Sequence, residues 1–423
     1  MKIRFAVVAA ATAFATLPSW GQGFQVGAAT NVTISGFLGV GVKSASIGDS
    51  TRPGLSTEKR VDDNTSRLYI SGNTKITDGW SAVWFIGSRF TADVRPGDQV
   101  LTGNTLTVSQ ASGWADDDTY AGISSPYGTL TFGKSSFYWS DTISLGHLSP
   151  ALDAPGESYR IWDANGLASF NLLSTYNTGA VSATGTLTPV TRNILGNTRS
   201  RNVVRYDSTL LKPDAESLLQ FSLAWSKNPA GAQNVWVSNA NGSTYEGGQT
   251  LYGRAMFNGH GFSASASYLD QKFQGVLTTA ANTELKAMRL GVSYKWEGLK
   301  AGVVFDKSAS VNGINTVGVL SDAKRTSFEI PVSYSFGDHA VYATYSVAGK
   351  TSSLDASGAK QINLVYDYAL TKRAFVGVYY TNLKNDAHAY YQPFLTGYSP
   401  FGGSAIGTGE AWRQVGVILN YWF

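Results

Sequence analysis

The sequence lacks cysteine entirely and contains little charge. Only 15% of its 423 residues are Asp, Glu, Lys or Arg, against about 25% in ordinary soluble domains. The absence of cysteine excludes a disulfide framework and any thiolate metal site. The 33 basic and 29 acidic residues nearly balance and form no basic run, so no nucleic-acid partner is expected. Any charge that matters must be local.

Long apolar runs are also missing. After the first twenty residues no stretch approaches the ~20 apolar residues that a spanning helix needs. A mean hydropathy of −0.10 is too polar for a bundle of membrane helices. Glycine and aromatic residues are abundant instead, with 46 Gly, 11 Trp and 22 Tyr. Membrane β-strands can hide in such averages, because lipid-facing and lumen-facing residues alternate along them.

The N-terminus has the pattern of a secretory signal peptide. Lys2 and Arg4 precede an uncharged apolar run over 5–17, and Pro18 with small residues follows. We predict a signal peptide over 1–21, cleaved after Gly21, and one barrel domain over 22–423. A transmembrane anchor is the alternative reading, although the run is short for one.

From Asn31 onward the chain alternates apolar and polar residues in sixteen segments of about ten residues, the length that a tilted membrane strand needs. Short turns alternate strictly with long connections, as between the turn at 125–127 and the long segment 135–198. Bacterial outer-membrane barrels show this alternation and an even strand number. The predicted fold is therefore all-β: a transmembrane antiparallel β-barrel of about sixteen strands, with a long third loop folded into the lumen.

A soluble β-sandwich is the alternative fold, since it also has many short alternating strands. It does not require loop lengths to alternate so regularly. Nor does it require Trp and Tyr at strand ends, which suit the aromatic girdles at membrane interfaces. These two features favour the barrel.

One predicted strand, 199–208, carries three arginines at two-residue spacing. By the strand period, Arg199, Arg201 and Arg205 share one face, whereas Val204 and Tyr206 share the other. An arginine facing lipid at the bilayer midplane costs roughly 2–4 kcal/mol, so the arginines are expected to face water. The pattern predicts a constriction loop over 135–198 facing a basic wall inside a channel.

Four stretches of the sequence resemble a known family. They are 66–72, 119–125 with 127–134, 202–208, and 415–423. Together they are similar to the Gram-negative general porins, the sixteen-stranded trimeric kind found especially in β-proteobacteria. The terminal Phe423 resembles the signal that the outer-membrane barrel assembly machinery reads.

The resemblance implies a homotrimer of water-filled pores in the outer membrane, surrounded by lipid and lipopolysaccharide, for passive diffusion of small hydrophilic solutes. It implies a basic wall made of Arg67, Arg89, Lys134, Arg199, Arg201 and Arg205. It implies that the loop acids opposite are drawn from Asp141, Asp153, Glu157 and Asp163. Lys134 departs mildly from the family, which usually has Arg there. The basic groups predict a preference for anions.

The alternation also predicts three inward acids in the later half of the barrel: Asp306, Glu329 and Asp367. Because the predicted basic groups crowd strands two to six, the lumen is expected to be polarised across its width. The alternative is that scattered inward charges only hydrate the lumen.

Two other functions remain open. Aromatic residues of the third loop could form a saturable path for one solute, making a selective uptake channel: Tyr138, Trp139, Tyr159 and Trp162. A barrel enzyme such as a lipase is the other, but none of the four histidines has a nucleophile and an oriented partner beside it. We predict no enzyme activity, no catalytic residue and no cofactor.

Three local patterns have competing interpretations. Residues 128–135 match the phosphate-binding loop pattern, but their alternation is that of a strand. The acids at 62–63 and 116–118 are either a calcium site or a solvated rim, and the rim is preferred, so no metal site is predicted. Residues 169–176 and 180–189 could form an extra hairpin, which leaves sixteen and eighteen strands both possible.

Overall fold

A computed structural model describes most of the strands and short turns. It covers residues 22–26, 30–48, 57–62, 66–90, 99–102, 105–108, 114–115, 117–136, 180–181, 187–188, 199–227, 249–273, 283–314, 320–350, 352, 355–389 and 409–423. Every regular element in these ranges is a strand. Within them, no helix is long and apolar enough to span a membrane. The predicted signal peptide, 1–21, lies outside the described residues.

The strands are numbered in chain order. They are β1 (Gln22–Val26), β2 (Thr30–Gly48), β3 (Thr57–Asp62), β4 (Ser66–Thr77), β5 (Trp80–Phe90), β6 (Gln99–Thr102), β7 (Thr105–Val108), β8 (Thr119–Ser125), β9 (Gly128–Ser136), β10 (Ala180–Val181), β11 (Leu187–Thr188), β12 (Arg199–Ser208), β13 (Leu218–Lys227), β14 (Gln249–Gly259), β15 (Phe262–Phe273), β16 (Thr283–Trp296), β17 (Leu299–Ile314), β18 (Leu320–Phe336), β19 (His339–Ala348), β20 (Ala359–Ala369), β21 (Ala374–Asn385) and β22 (Ala411–Trp422).

Sixteen of these strands form a closed antiparallel ring. Its order is β2, β4, β5, β8, β9 and then β12 to β22, each paired with the next. The ring closes where β22 pairs with β2, from Phe37 opposite Trp422 to Gly48 opposite Ala411. Beyond them, Gly36 and Phe423 exchange backbone hydrogen bonds of 3.0 and 3.1 Å. Closure leaves the ring with no unpaired edge, as a membrane barrel requires, and confirms the predicted antiparallel barrel of sixteen strands.

The remaining described strands lie outside the ring. β1 pairs with the first residues of β2, and β3 pairs with β2 over 41–46. β6 pairs only with β7, and β10 only with β11. β10 and β11 form a small hairpin within 180–188, which differs from the predicted hairpin between 169–176 and 180–189 and adds no strand to the ring. Residues 169–176 lie outside the described ranges.

The ring has an apolar outer face and a polar inner face. Along β22, the outward residues Val415, Val417 and Leu419 are 43–49% exposed. The inward residues Gln414, Ile418 and Asn420, which alternate with them, are at most 5% exposed. An apolar exterior around a polar interior is the arrangement of a barrel solvated by lipid.

Aromatic side chains ring the end of the barrel that carries the short turns. Gly79 (φ +77°) and Gly261 (φ +80°) occupy left-handed positions in two of these turns. Exposed aromatics lie on both sides of the turns, namely Trp80, Tyr127, Phe262, Tyr294, Trp296, Tyr334, Phe336 and Tyr368. Such a belt positions a barrel at the membrane–water interface. The strand ends that border the long connections lie at the opposite end of the barrel, called the loop end below.

Aromatic packing also occurs on the inner face, next to the seam of the ring. Phe37 and Trp422 pack with ring centroids 5.0 Å apart. Phe85 stacks between Tyr69 and Tyr120, at 5.5 and 5.4 Å. All five side chains are at most 9% exposed. This cluster makes part of the inner wall aromatic between β22 and β8.

Candidate pore lining

The strand register assigns each ring residue to the inner or outer face, because directly opposed residues share a face. In the described part of the ring, the inward positions carry nine basic residues: Lys43, Arg67, Lys75, Arg205, Arg254, Arg289, Lys295, Lys300 and Arg325. The same positions carry four acidic residues: Asp207, Asp306, Glu329 and Asp367. The lining thus has a marked excess of positive charge.

Four of these arginines form a regular series. Arg205, Arg254, Arg289 and Arg325 lie on β12, β14, β16 and β18, one on every second strand. Adjacent strands are ~4.8 Å apart, so successive members lie about 10 Å apart around the wall. Arg205 is near the turn end of its strand, whereas Arg325 is near the loop end of its own. The arginine series therefore climbs the lumen from the turn end towards the loop end.

Hydrogen bonds hold the first two members of the series in place. Arg205 donates to both carboxylate oxygens of Asp207, from Nε at 2.8 Å and from Nη2 at 2.9 Å. Ser222 donates to Asp207 Oδ1 at 2.6 Å, and Arg254 Nη2 donates to the Ser222 hydroxyl at 3.1 Å. The opposed inward positions of β12, β13 and β14 bring these groups together.

Arg289 has a different partner. Its Nε donates to Asp306 Oδ2 at 3.2 Å, and the two side chains are 2% and 0% exposed. They are directly opposed on β16 and β17. Each charge lies in a position where water cannot solvate it fully, so each depends on the other.

Arg67 lies next to the aromatic cluster. Its Nε is 3.6 Å from Asp117 Oδ2, its Nη1 donates to the Tyr69 hydroxyl at 3.3 Å, and its guanidinium carbon is 5.8 Å from the Phe37 ring centroid. Asp117 belongs to the acid run 116–118, and it is only 3% exposed. This acid is therefore buried beside an arginine, unlike the solvated rim residue predicted for it.

Lys134 lies on the other face of the barrel, so its predicted place in the basic wall is wrong. It is opposed to Thr119 and shares its register face with Leu130 and Phe132, which are 39% and 52% exposed on the outside. The inward positions of β9 are held by Thr131 and its alternate neighbours. Lys134 Nζ donates to the carbonyl oxygen of Ala115.

A β-bulge interrupts the arginine strand. Its register against β9 shifts between Ser200 and Val203, and Asn202 adopts a left-handed conformation with φ +55°. One extra residue shifts the alternation by one position. Arg199 therefore no longer shares a register face with Arg205 by the two-residue period, contrary to the prediction. The side chains of Arg199, Arg201 and Arg89 lie outside the described part of the chain.

The remaining predicted loop residues also lie outside the described ranges. They are the acids Asp141, Asp153, Glu157 and Asp163 and the aromatics Tyr138, Trp139, Tyr159 and Trp162. The segment 135–198, predicted to be the constriction loop, is described only at 135–136 and in the β10–β11 hairpin.

Sequence analysis missed three of the four arginines in the series. It recognised the later strands as carriers of inward acids, and Asp306, Glu329 and Asp367 do face inward, at most 2% exposed. It did not note that Arg254, Arg289 and Arg325 lie among them. Positive charge is therefore not confined to strands two to six. The signal was present in the sequence, because Arg289 lies between the apolar residues Met288 and Leu290 and therefore faces the opposite way by the two-residue strand period.

Comparison with known proteins gives consistent results. A family model described as Gram-negative porin matches residues 5–388. No curated protein sequence matches. Three solved structures share the fold: the anion-selective porin from Comamonas acidovorans (TM-score 0.63, 16% identity, 93% of this chain and 100% of that one), OmpF of Salmonella typhi in complex with daunomycin (0.57, 16%, 95% and 100%), and OmpT of Vibrio cholerae in its trimer form (0.54, 11%, 94% and 100%).

Proposed function

The chain belongs to the Gram-negative porin family, and we propose that the pore through this outer-membrane barrel passes small hydrophilic solutes and prefers anions. The excess of inward positive charge carries the proposal: nine basic against four acidic positions in the described part of the ring strands. Charged walls inside a low-dielectric barrel focus the field into the lumen and raise the local concentration of counter-ions. The preference is expected to weaken at high salt, because counter-ions screen it.

The arginine series adds a direction to this field. Its members are spaced about 10 Å apart, close to the Debye length at 0.1 M salt. An anion that leaves one guanidinium group is therefore still attracted electrostatically by the next one. Asp207 and Asp306 offset part of this charge where they pair with Arg205 and Arg289. Substituting Arg254 and Arg325 leaves both of these ion pairs in place, so these two members are the ones to replace in a test of selectivity.

The test is the reversal potential of single channels under a salt gradient in a planar bilayer. Arg254→Gln combined with Arg325→Gln should shift it towards cations and leave the channel open. The matched control is Lys307→Gln combined with Lys324→Gln, which removes the same charge from the outer face. A double lumen variant that behaves like its control would refute the role of the lumen arginines.

We also propose that the protein assembles as a homotrimer and that residues 135–198 narrow each pore. The likeness to OmpT in its trimer form supports the assembly. Conductance should appear in steps that are multiples of three, and native mass spectrometry should give the trimer mass. The proposed trimer would be overturned if native mass spectrometry gave the mass of a monomer and the channels opened in single steps instead of multiples of three. Shortening 140–176 should raise the conductance of each step, and an unchanged step would exclude this segment as the constriction.

A further inference from the structure

An apolar groove of about 420 Å³ crosses the outer face of the barrel. It forms because two alanines, Ala255 and Ala266, are directly opposed on β14 and β15, whereas Leu290 lies opposite Ala266 on β16. Ala264 and Phe305 also line it. Small side chains between larger ones leave a channel along the surface that lipid contacts. It faces away from the lumen, so the proposed conduction path does not use it.

Three lysines lie on the same outer face, on the loop-end side of this groove. Lys286, Lys307 and Lys324 lie on β16, β17 and β18 around Ala309, which is opposed to Lys286 on one side and to Lys324 on the other. Lys307 is diagonal to both, so its Cβ lies about 7–8 Å from each of theirs. The small side chain of Ala309 leaves the space between the three lysines open.

The acids near this lysine triad neutralise only part of it. Glu284 pairs with Lys286 at 2.8 Å and with Lys272 at 3.3 Å. Asp270 is opposed to Lys286 on β15 and lies 3.7 Å from Lys272. Among the described residues, Lys307 and Lys324 have no ion pair, and both are exposed. Asp322 lies two positions further towards the loop end on β18. The triad and Lys272 thus supply four positive charges against the three negative charges of Asp270, Glu284 and Asp322, so one net positive charge remains next to apolar surface.

The groove and the triad are connected along one strand. Phe305 lines the groove, and Lys307 is the next outward residue of β17, about 6.6 Å further towards the loop end at ~3.3 Å per residue. An amphiphile with an apolar tail and an anionic head has these two parts in the same order. Cations at the membrane surface attract anionic headgroups, and lysine is a common phosphate ligand.

We propose that this face binds a phosphorylated lipid of the leaflet at the loop end. The phosphate lies among Lys286, Lys307 and Lys324, and one acyl chain lies in the groove over Ala255 and Ala266. The Thr326 hydroxyl is opposed to Lys307 on the same outer face and lies within reach of the same headgroup. The lipid supplies the negative charge that the triad lacks.

The test uses the refolded full-length protein and native mass spectrometry. Phosphatidic acid is the probe, and phosphatidylcholine and inorganic phosphate are the comparisons. Wild-type protein should retain phosphatidic acid at least ~10-fold better than phosphatidylcholine. Lys307→Gln combined with Lys324→Gln should abolish this difference, whereas the lumen control Lys295→Gln combined with Lys300→Gln should preserve it.

A groove-filling variant, Ala266→Trp, tests the binding of the acyl chain separately from the binding of the headgroup. It should weaken retention of phosphatidic acid although all three lysines remain. The proposal would be overturned if wild type and the Lys307/Lys324 variant retained phosphatidic acid equally well. It would also be overturned if inorganic phosphate bound and the Ala266→Trp substitution did not affect that binding. Because the chain has no cysteine, Ala264→Cys can be tested alone, and a disulfide between two copies would show a protein partner instead. Conductance measurements on the same variants test the pore separately.

Discussion

Removing Asp306 should destabilise the barrel more than any surface substitution. Its carboxylate is 0% exposed and accepts a hydrogen bond from Arg289 Nε at 3.2 Å. Loss of one partner of a buried ion pair costs about 3–5 kcal/mol, because the other charge is left without compensation. At ~1.4 kcal/mol per tenfold change, this lowers the folding equilibrium constant by roughly two to nearly four orders of magnitude. Replacing both partners by apolar residues of similar volume should cost far less.

The assay is reversible urea unfolding of the barrel in lipid vesicles, followed by tryptophan fluorescence. We expect Asp306→Leu and Arg289→Met each to lower the free energy of unfolding by several kcal/mol. The double variant should lie within ~1–2 kcal/mol of wild type, with a large favourable coupling energy. Additive effects would mean that the two charges do not depend on each other. The reasoning about this pair would then be wrong.

Three further predictions concern other parts of the molecule. A hydrogen bond and the negative charge from Asp214 raise the pKa of His260. The contact therefore stabilises the turns fully at pH values below the usual histidine pKa, and this stabilisation is lost as the pH rises through the raised pKa. Asp214→Asn should lower the pKa of His260 in an NMR titration, and an unchanged midpoint would exclude the contact. Gly122→Ala would place a methyl group against the carbonyl oxygen across on β9 and should cost about 1–3 kcal/mol in urea unfolding, whereas Gly48→Ala meets its nearest atom at 3.6 Å and should cost under ~0.5 kcal/mol. Lys384 lies directly opposite the outward Lys360 on β20, so Lys384→Glu replaces two like charges with an opposite-charge pair and should raise the free energy of unfolding by ~0.3 kcal/mol. A decrease in this free energy at low salt would contradict that geometry.

The strands themselves could be predicted closely from the sequence. The predicted bounds of Arg199–Ser208 and His339–Ala348 coincide with β12 and β19, and the other ring strands agree at their cores. The reason is physical: each strand has lipid on one face and the lumen on the other. Two-residue alternation therefore persists along nearly its whole length. In a barrel with one polar and one apolar solvent, this pattern is strong enough to define the fold.

The lining was predicted less well, because part of it came from family resemblance instead of strand alternation. Leu130, Phe132 and Lys134 share one face by the two-residue period, so the sequence already indicated an outward Lys134. The same rule applied to β16 and β18 indicates inward Arg289 and Arg325. The two-residue alternation along each strand therefore predicts which charged residues line the pore better than the family resemblance does.

Other features leave no clear pattern in the sequence. The bulge in β12 depends on Asn202 adopting a left-handed conformation, which Asn tolerates but does not require. The pairing of β1 with the start of β2 depends on where β22 stops, at a position distant in sequence. Such features are set by the closed ring as a whole, so a local window of residues cannot determine them.

The seam between β2 and β22 has a consequence for how the protein is made. Gly36 and Phe423 exchange backbone hydrogen bonds across nearly the full length of the chain, and contacts this distant in sequence form late and slowly. Until they form, the growing sheet has two open edges of unpaired N–H and C=O groups. The unfinished sheet therefore needs protection from other chains during biogenesis. Its vulnerable period ends only when the last strand docks against the first strand of the ring.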